Sequence, residues 1–159
     1  MKVEFLNNMK ITICASIKFY PEILDIKKQL EDLGNQVLIP PHEVKNESGD
    51  FIPVEEYYKI RKSMVESGDN DDWVWQRKSE AIKWHFDKID KSDAVLVLNL
   101  DKNKIANYIG GNTLVEIGLA FWLKKPIYLY NPIPEEVSYY EEIKGMQPIV
   151  INQNLSLIK

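Results

Sequence analysis

A chain of 159 residues, 45% hydrophobic and 11% aromatic, is the size of one domain and apolar enough for a real core. Its 20 Lys and Arg are interleaved with 24 Asp and Glu for a formal net charge of -4, so it presents no basic footprint for a nucleic-acid backbone. The lone cysteine excludes an intrachain disulfide framework, and no apolar run reaches the roughly eighteen residues of a membrane span.

Residues 10–16, KITICAS, are a short apolar run rich in β-branched side chains, the pattern of a buried strand. Pro21 then opens a helix whose Ile23, Ile26, Leu30 and Leu33 share one face, and Gly34 ends it. A second strand over 37–40 stops at Pro40-Pro41, which completes a β-α-β unit of parallel strands with a right-handed crossover. Residues 42–53 turn polar, with Asn46, Ser48, Gly49 and Asp50 marking a loop long enough to lie over a site. A helix over 54–66 offers Tyr57, Tyr58, Ile60, Met64 and Val65 for packing, and SGDNDD at 67–72 breaks it. From about 74 to 91 a further helix carries Ile82, His85, Phe86 and Ile89 at i, i+3, i+4 and i+7.

Residues 93–98, DAVLVL, form a near-continuous apolar strand of the type buried on both faces of a parallel sheet. A loop of glycine, asparagine and lysine follows, then a helix over 113–124 and a strand over 126–130. A short surface helix over 135–144 and a last strand over 148–151 close the chain. Five apolar runs alternating with helical patterns predict one α/β domain over 1–159, a doubly wound five-stranded parallel sheet with helices on both faces and a helical insertion at about 42–80.

Ligands of such sheets bind outside the carboxyl ends of the strands. That rule selects Ser16 with Lys18, residues 40–43, Asn99 and its neighbours, Asn131, and the loop that ends in Gly110, Gly111 and Asn112. The glycine pair allows close backbone approach, and the helix N–H groups after it suit an anionic or strongly polar ligand, although two glycines can equally just make the turn. The pattern is neither GxGxxG nor a Walker loop, so no dinucleotide or ATP site is inferred and no cofactor is expected.

Glu116 is the one charged residue between Thr113 and Leu123. Thr113-Leu-Val-Glu116 fits a capping box, in which the carboxylate folds back onto the helix start. The alternative is a partly desolvated carboxylate poised for nucleophilic or acid–base work. His85 on its apolar face reads either as a hydrogen-bonded core histidine or as a proton-transfer group. With no CxxC pair and only His42 and His85, a zinc site of the usual type is not expected. The N-terminal residues lack a signal-type apolar stretch, and with the single cysteine this reads as cytoplasmic, with no membrane and no nucleic-acid partner.

ITICASIKF at the first strand, HFDKIDKSDAVLVLNL before and through the third, and GGNTLVEIGLAFWLKKPIYLY together resemble the nucleoside 2-deoxyribosyltransferase superfamily, which includes deoxynucleoside monophosphate N-glycosidases. The resemblance runs from Lys10 to Asn131, with 42–79 poorly matched. It implies a flavodoxin-like sheet, a homo-oligomer, and cleavage of the N-glycosidic bond of a nucleoside or nucleotide. It also implies that Glu116 is the nucleophile, and that Ser16 and Lys18 occupy the loop that helps hold phosphate in the monophosphate enzymes. At the position of the family's second acidic residue this chain has His85, which can protonate a departing base but supplies no fixed negative charge. Two function classes follow: a glycosidic-bond enzyme, or a non-catalytic nucleotide-binding sensor or sequestering protein on the same scaffold.

Overall fold

The computed structural model describes residues 8–69 and 71–159. Five parallel strands form its sheet: β1 (Lys10–Cys14), β2 (Gln36–Leu38), β5 (Ala94–Val97), β6 (Ile127–Leu129) and β7 (Ile149–Val150), in the order β2-β1-β5-β6-β7. Counted along the chain this is the 2-1-3-4-5 order of flavodoxin-like folds, whose strand order reverses between β1 and β5.

Alternation along β5 sorts its side chains to the two sheet faces. Ala94, Leu96 and Leu98 pack with Ile11, Ile13 and the inner face of α1 (Tyr20–Asp32). Val95 and Val97 face the other way, with Cys14, Ile89 of α3 (Asp72–Asp90) and Ile117 of α4 (Gly111–Trp122). The predicted stop at Gly34 is a Schellman motif: the Gly34 N–H donates to the Glu31 carbonyl at 2.9 Å and the Asn35 N–H to the Leu30 carbonyl at 3.1 Å, with Gly34 at φ +90°.

Three local expectations give way. The polar stretch after Pro41 is not all loop, because β3 (Glu43–Lys45) and β4 (Phe51–Pro53) pair antiparallel. Their turn is closed by the Asn46 side chain, which accepts from the Asp50 N–H at 2.9 Å, and Gly49 takes φ +88°. Val44 of this hairpin packs with Tyr57 of α2 (Val54–Ser67) and Val74 of α3 in a small separate core. The break after α2 occurs at Gly68, which adopts φ +75°; Asn70, within the expected break, lies outside the described residues. The helix expected over 135–144 shrinks to α5 (Tyr140–Gly145), with Tyr139 ahead of it donating its hydroxyl to the Ile109 carbonyl. Most consequential for the site, α4 starts at Gly111 rather than Thr113.

Candidate active site

The earlier start of α4 places Glu116 in its second turn, so no capping box forms. Gly110 is the N-cap and makes no side-chain cap bond. Thr113, Glu116, Ile117 and Ala120 share the buried face of α4, which carries the glutamate inward toward the carboxyl end of β1. The residue is only 6% exposed. One oxygen, Oε1, accepts from Asn112 Nδ2 at 2.9 Å, and Lys78 Nζ donates to Asn112 Oδ1 at 2.8 Å. The other oxygen, Oε2, has no hydrogen-bond partner and lies 3.6 Å from His85 Nε2.

His85 comes from α3 and is 4% exposed. Its Nε2 is 3.5 Å from Cys14 Sγ, and its Nδ1 makes no hydrogen bond. Cys14, His85 and Glu116 therefore converge from a strand and two helices, each offering one atom within 4.8 Å of the others. Burial dominates the electrostatics of this cluster. It pushes Glu116 up to about 8 although Cys14, Lys78 and Lys88 pull the other way, and it pushes His85 down to about 4, helped by Lys88. The Cys14 thiol is raised as well, by burial and then by the neighbouring glutamate. Near neutral pH the cluster thus holds an uncharged imidazole, a thiol and a largely protonated carboxyl.

His85 and Glu116, but not the fully buried Cys14 beside them, line a cavity of about 260 Å³, slightly under the roughly 300–1,000 Å³ usual for small-molecule sites. Of the sequence-selected residues, Ser16, His85, Gly110, Gly111, Asn112 and Glu116 line it, whereas Lys18, Asn99 and Asn131 do not. Lys18 is exposed on the short 3-10 turn after β1. Asn99 Nδ2 donates to the Asn131 and Pro132 carbonyls, each at 2.9 Å, and Asn99 Oδ1 accepts the Asn131 N–H at 2.9 Å. These two residues tie together the loops that follow β5 and β6. Gly110 has ordinary extended backbone, but a Cβ there would meet the Tyr108 ring at 3.1 Å, so its small size admits the tyrosine.

Three cations around the cavity were not singled out by sequence reasoning. Lys102 Nζ donates to Ser16 Oγ at 2.8 Å and sits 4.9 Å from the Tyr108 ring centroid, in the place expected for Lys18. Arg61 lies over the rings of Tyr57 and Tyr58 at 5.5 and 5.2 Å. Lys78 is pushed down to about 8 by burial and then by Arg61, with Glu116 opposing. A signal for Lys78 was present: it stands at i−7 from His85, so extending the stripe of Ile82 and His85 one turn upstream places Lys78 and Ala81 on the cavity side. No short-range pattern pointed to Lys102.

No protein-family model and no curated protein matches the chain. Among solved structures it is similar to a 2-deoxyribosyltransferase from the psychrotolerant bacterium Bacillus psychrosaccharolyticus, with 17% identity, a TM-score of 0.47, and coverage of 76% of this chain and 70% of that one. It is also similar to the CMP N-glycosidase BcmB of Clostridium botulinum, with 16% identity, a TM-score of 0.45, and coverage of 89% and 84%.

Proposed function

We propose that this protein cleaves or transfers the N-glycosidic bond of a nucleoside or nucleotide, with Glu116 as nucleophile. The observation that carries the reading is the unpartnered Oε2 of a buried glutamate at the inner end of a cavity, while Oε1 is held in place by Asn112. Attack of Oε2 on the anomeric carbon forms a glycosyl ester as the carbon–nitrogen bond breaks, and water or a second base then displaces the carboxylate.

Proton movement follows from the shifted groups. Glu116 must lose its proton before it attacks, and neutral His85 Nε2 at 3.6 Å from Oε2 is placed to receive it as charge develops on the sugar. The imidazolium so formed then holds the proton for the departing base. His85 thus acts first as acceptor and only afterwards as donor, because a group held near 4 carries no proton to give in the resting site. Arg61, Lys78 and Lys102 around the cavity favour an anionic ligand, which supports a phosphorylated nucleoside over an uncharged one.

One observation favours a second reading. A glutamate held near 8 is a hydrogen-bond donor at neutral pH and could grip a sugar hydroxyl without attacking, as in a nucleotide-binding sensor. A panel of nucleosides, deoxynucleosides and their monophosphates, assayed for free base, separates the two. Release from at least one member, abolished in Glu116→Ala, is the result expected of the enzyme. Thermal stabilisation by a ligand with no base released from any member gives the site to the sensor.

A further inference from the structure

We propose that Cys14, His85 and Glu116 form a site for one zinc ion at the inner end of the cavity, and that the ion silences the glutamate while it is bound. The binding half is independent of the glycosidic reading, and the silencing half rests on it.

The donor set is mixed and close. Cys14 Sγ to His85 Nε2 is 3.5 Å and His85 Nε2 to Glu116 Oε2 is 3.6 Å. Zinc bonds of about 2.3 Å to sulfur and about 2.0 Å to nitrogen or oxygen place tetrahedral ligand–ligand edges at about 3.3–3.6 Å. The third edge, from Cys14 Sγ to the Glu116 carboxylate, is within 4.8 Å, and the residues stand on β1, α3 and α4, whose positions are set by the sheet and its packed helices, so closing on an ion asks mainly for that edge to shorten. All three are buried, and Oε2 has no other partner.

The chemistry selects the ion. A thiolate with an imidazole suits zinc and disfavours magnesium, calcium and manganese. One thiolate and one carboxylate neutralise a dication, which suits a region that penalises isolated charge. On binding, the thiol proton and the carboxyl proton leave to solvent, and sulfur, oxygen and the Nε2 lone pair each form one bond to the metal. Coordination through Nε2 uses the tautomer protonated on Nδ1, the same one in which Nε2 accepts from the Cys14 S–H. Asn112 Nδ2, already bonded to Oε1, orients the carboxylate from outside, as groups behind metal ligands commonly do. Because His85 and Glu116 line the cavity, the fourth position opens toward it, for water or a ligand atom.

Cobalt(II) titrated into chelator-stripped protein tests the site without any nucleoside. One equivalent is expected to raise an intense thiolate-to-cobalt charge-transfer band, which zinc displaces and magnesium leaves unchanged. Cys14→Ser is expected to lose the band and to bind zinc about a hundredfold more weakly, and Glu116→Gln at least about tenfold more weakly, since each loses one of the three protein ligands. Folded wild-type protein that shows no thiolate band overturns the proposal whatever the variants do, as does zinc affinity that Cys14→Ser leaves intact. In the base-release assay, one equivalent of zinc is expected to abolish turnover and a chelator to restore it. A cobalt band with no base release from any substrate keeps the metal site and sinks the glycosidic reading. Base release with no band does the reverse.

Discussion

Glu116 is held by one oxygen and left open at the other, and this asymmetry sets what the residue can do. With Oε1 fixed by Asn112, Oε2 is the free atom. Substituting Glu116 by Gln keeps the shape and removes the nucleophile, so base release should fall roughly a thousandfold or more while ligand binding persists, by analogy with removal of other single nucleophiles. For the intact enzyme, kcat/KM should fall as pH rises through about 8, because the proton that Glu116 passes to His85 for the departing base is then lost to solvent, and a pH series at low substrate reads that limb. Stability in chelator-treated protein should decline over an overlapping range. Glu116 is raised from 4.5 to about 8 by folding, so its contribution is complete below 4.5 and is lost as pH rises through 8. His85 is lowered from 6.5 to about 4, so its contribution is complete above 6.5 and is lost as pH falls through 4. Between 4.5 and 6.5 the two slopes cancel. From 6.5 to 8 the glutamate dominates, with Lys78, held near 8, opposing it only at the upper end, and stability should fall by about 1–2 kcal/mol. Urea midpoints across that range check it, and Glu116→Gln should flatten the decline.

At the scale of elements, the site depends on α3 and α4 presenting matched faces. Lys78, Ala81, Ile82 and His85 recur at helical spacing along the cavity side of α3, and Asn112 and Glu116 do so on α4. Lys78 crosses from one helix to the other through its bond to Asn112. A charge-assisted hydrogen bond contributes about 1.5–3 kcal/mol, so Lys78→Met should weaken a phosphorylated ligand by about 10- to 100-fold. The same change should weaken its unphosphorylated counterpart much less, which calorimetry on the two ligands compares. The hairpin and α2 are attached more lightly. Tyr57 donates its hydroxyl to the Val74 carbonyl at 2.6 Å within a small core, and Tyr57→Phe should cost about 1 kcal/mol. Amide exchange should then be faster in α2 and β3–β4 than in β1 and β5, because that core is separate from the two that flank the sheet.

Across the whole molecule, the cavity forms where the carboxyl end of β1 and the helices α3 and α4 meet the hairpin and α2, and no described helix is long and apolar enough to cross a membrane. The homo-oligomer implied by the resemblance is a proposal that sedimentation tests. Trp122 is 80% exposed at the end of α4. Trp122→Glu should shift a self-associating sample toward monomer; a monomer in the unaltered protein ends the idea. The parallel strands and most helices were legible from residues alone, because burial on both sheet faces imposes near-continuous apolar runs and helices impose a 3.6-residue stripe, both local constraints. The β3–β4 hairpin was not, since three-residue strands carry too few side chains to show alternation. Nor was the first turn of α4, where Gly110 serves as N-cap without any side-chain signal. Glu116 could be selected from sequence as one charge on an apolar helix, and His85 as one polar group on an apolar stripe. Their meeting with Cys14 could not. It joins residues 71 apart at Cys14 and His85 through the placement of β1 beside β5 and the packing of α3 and α4 on one side of the sheet. No spacing in the chain encodes that, because strand order and crossover hand are set by long-range burial, and with them the company each site residue keeps.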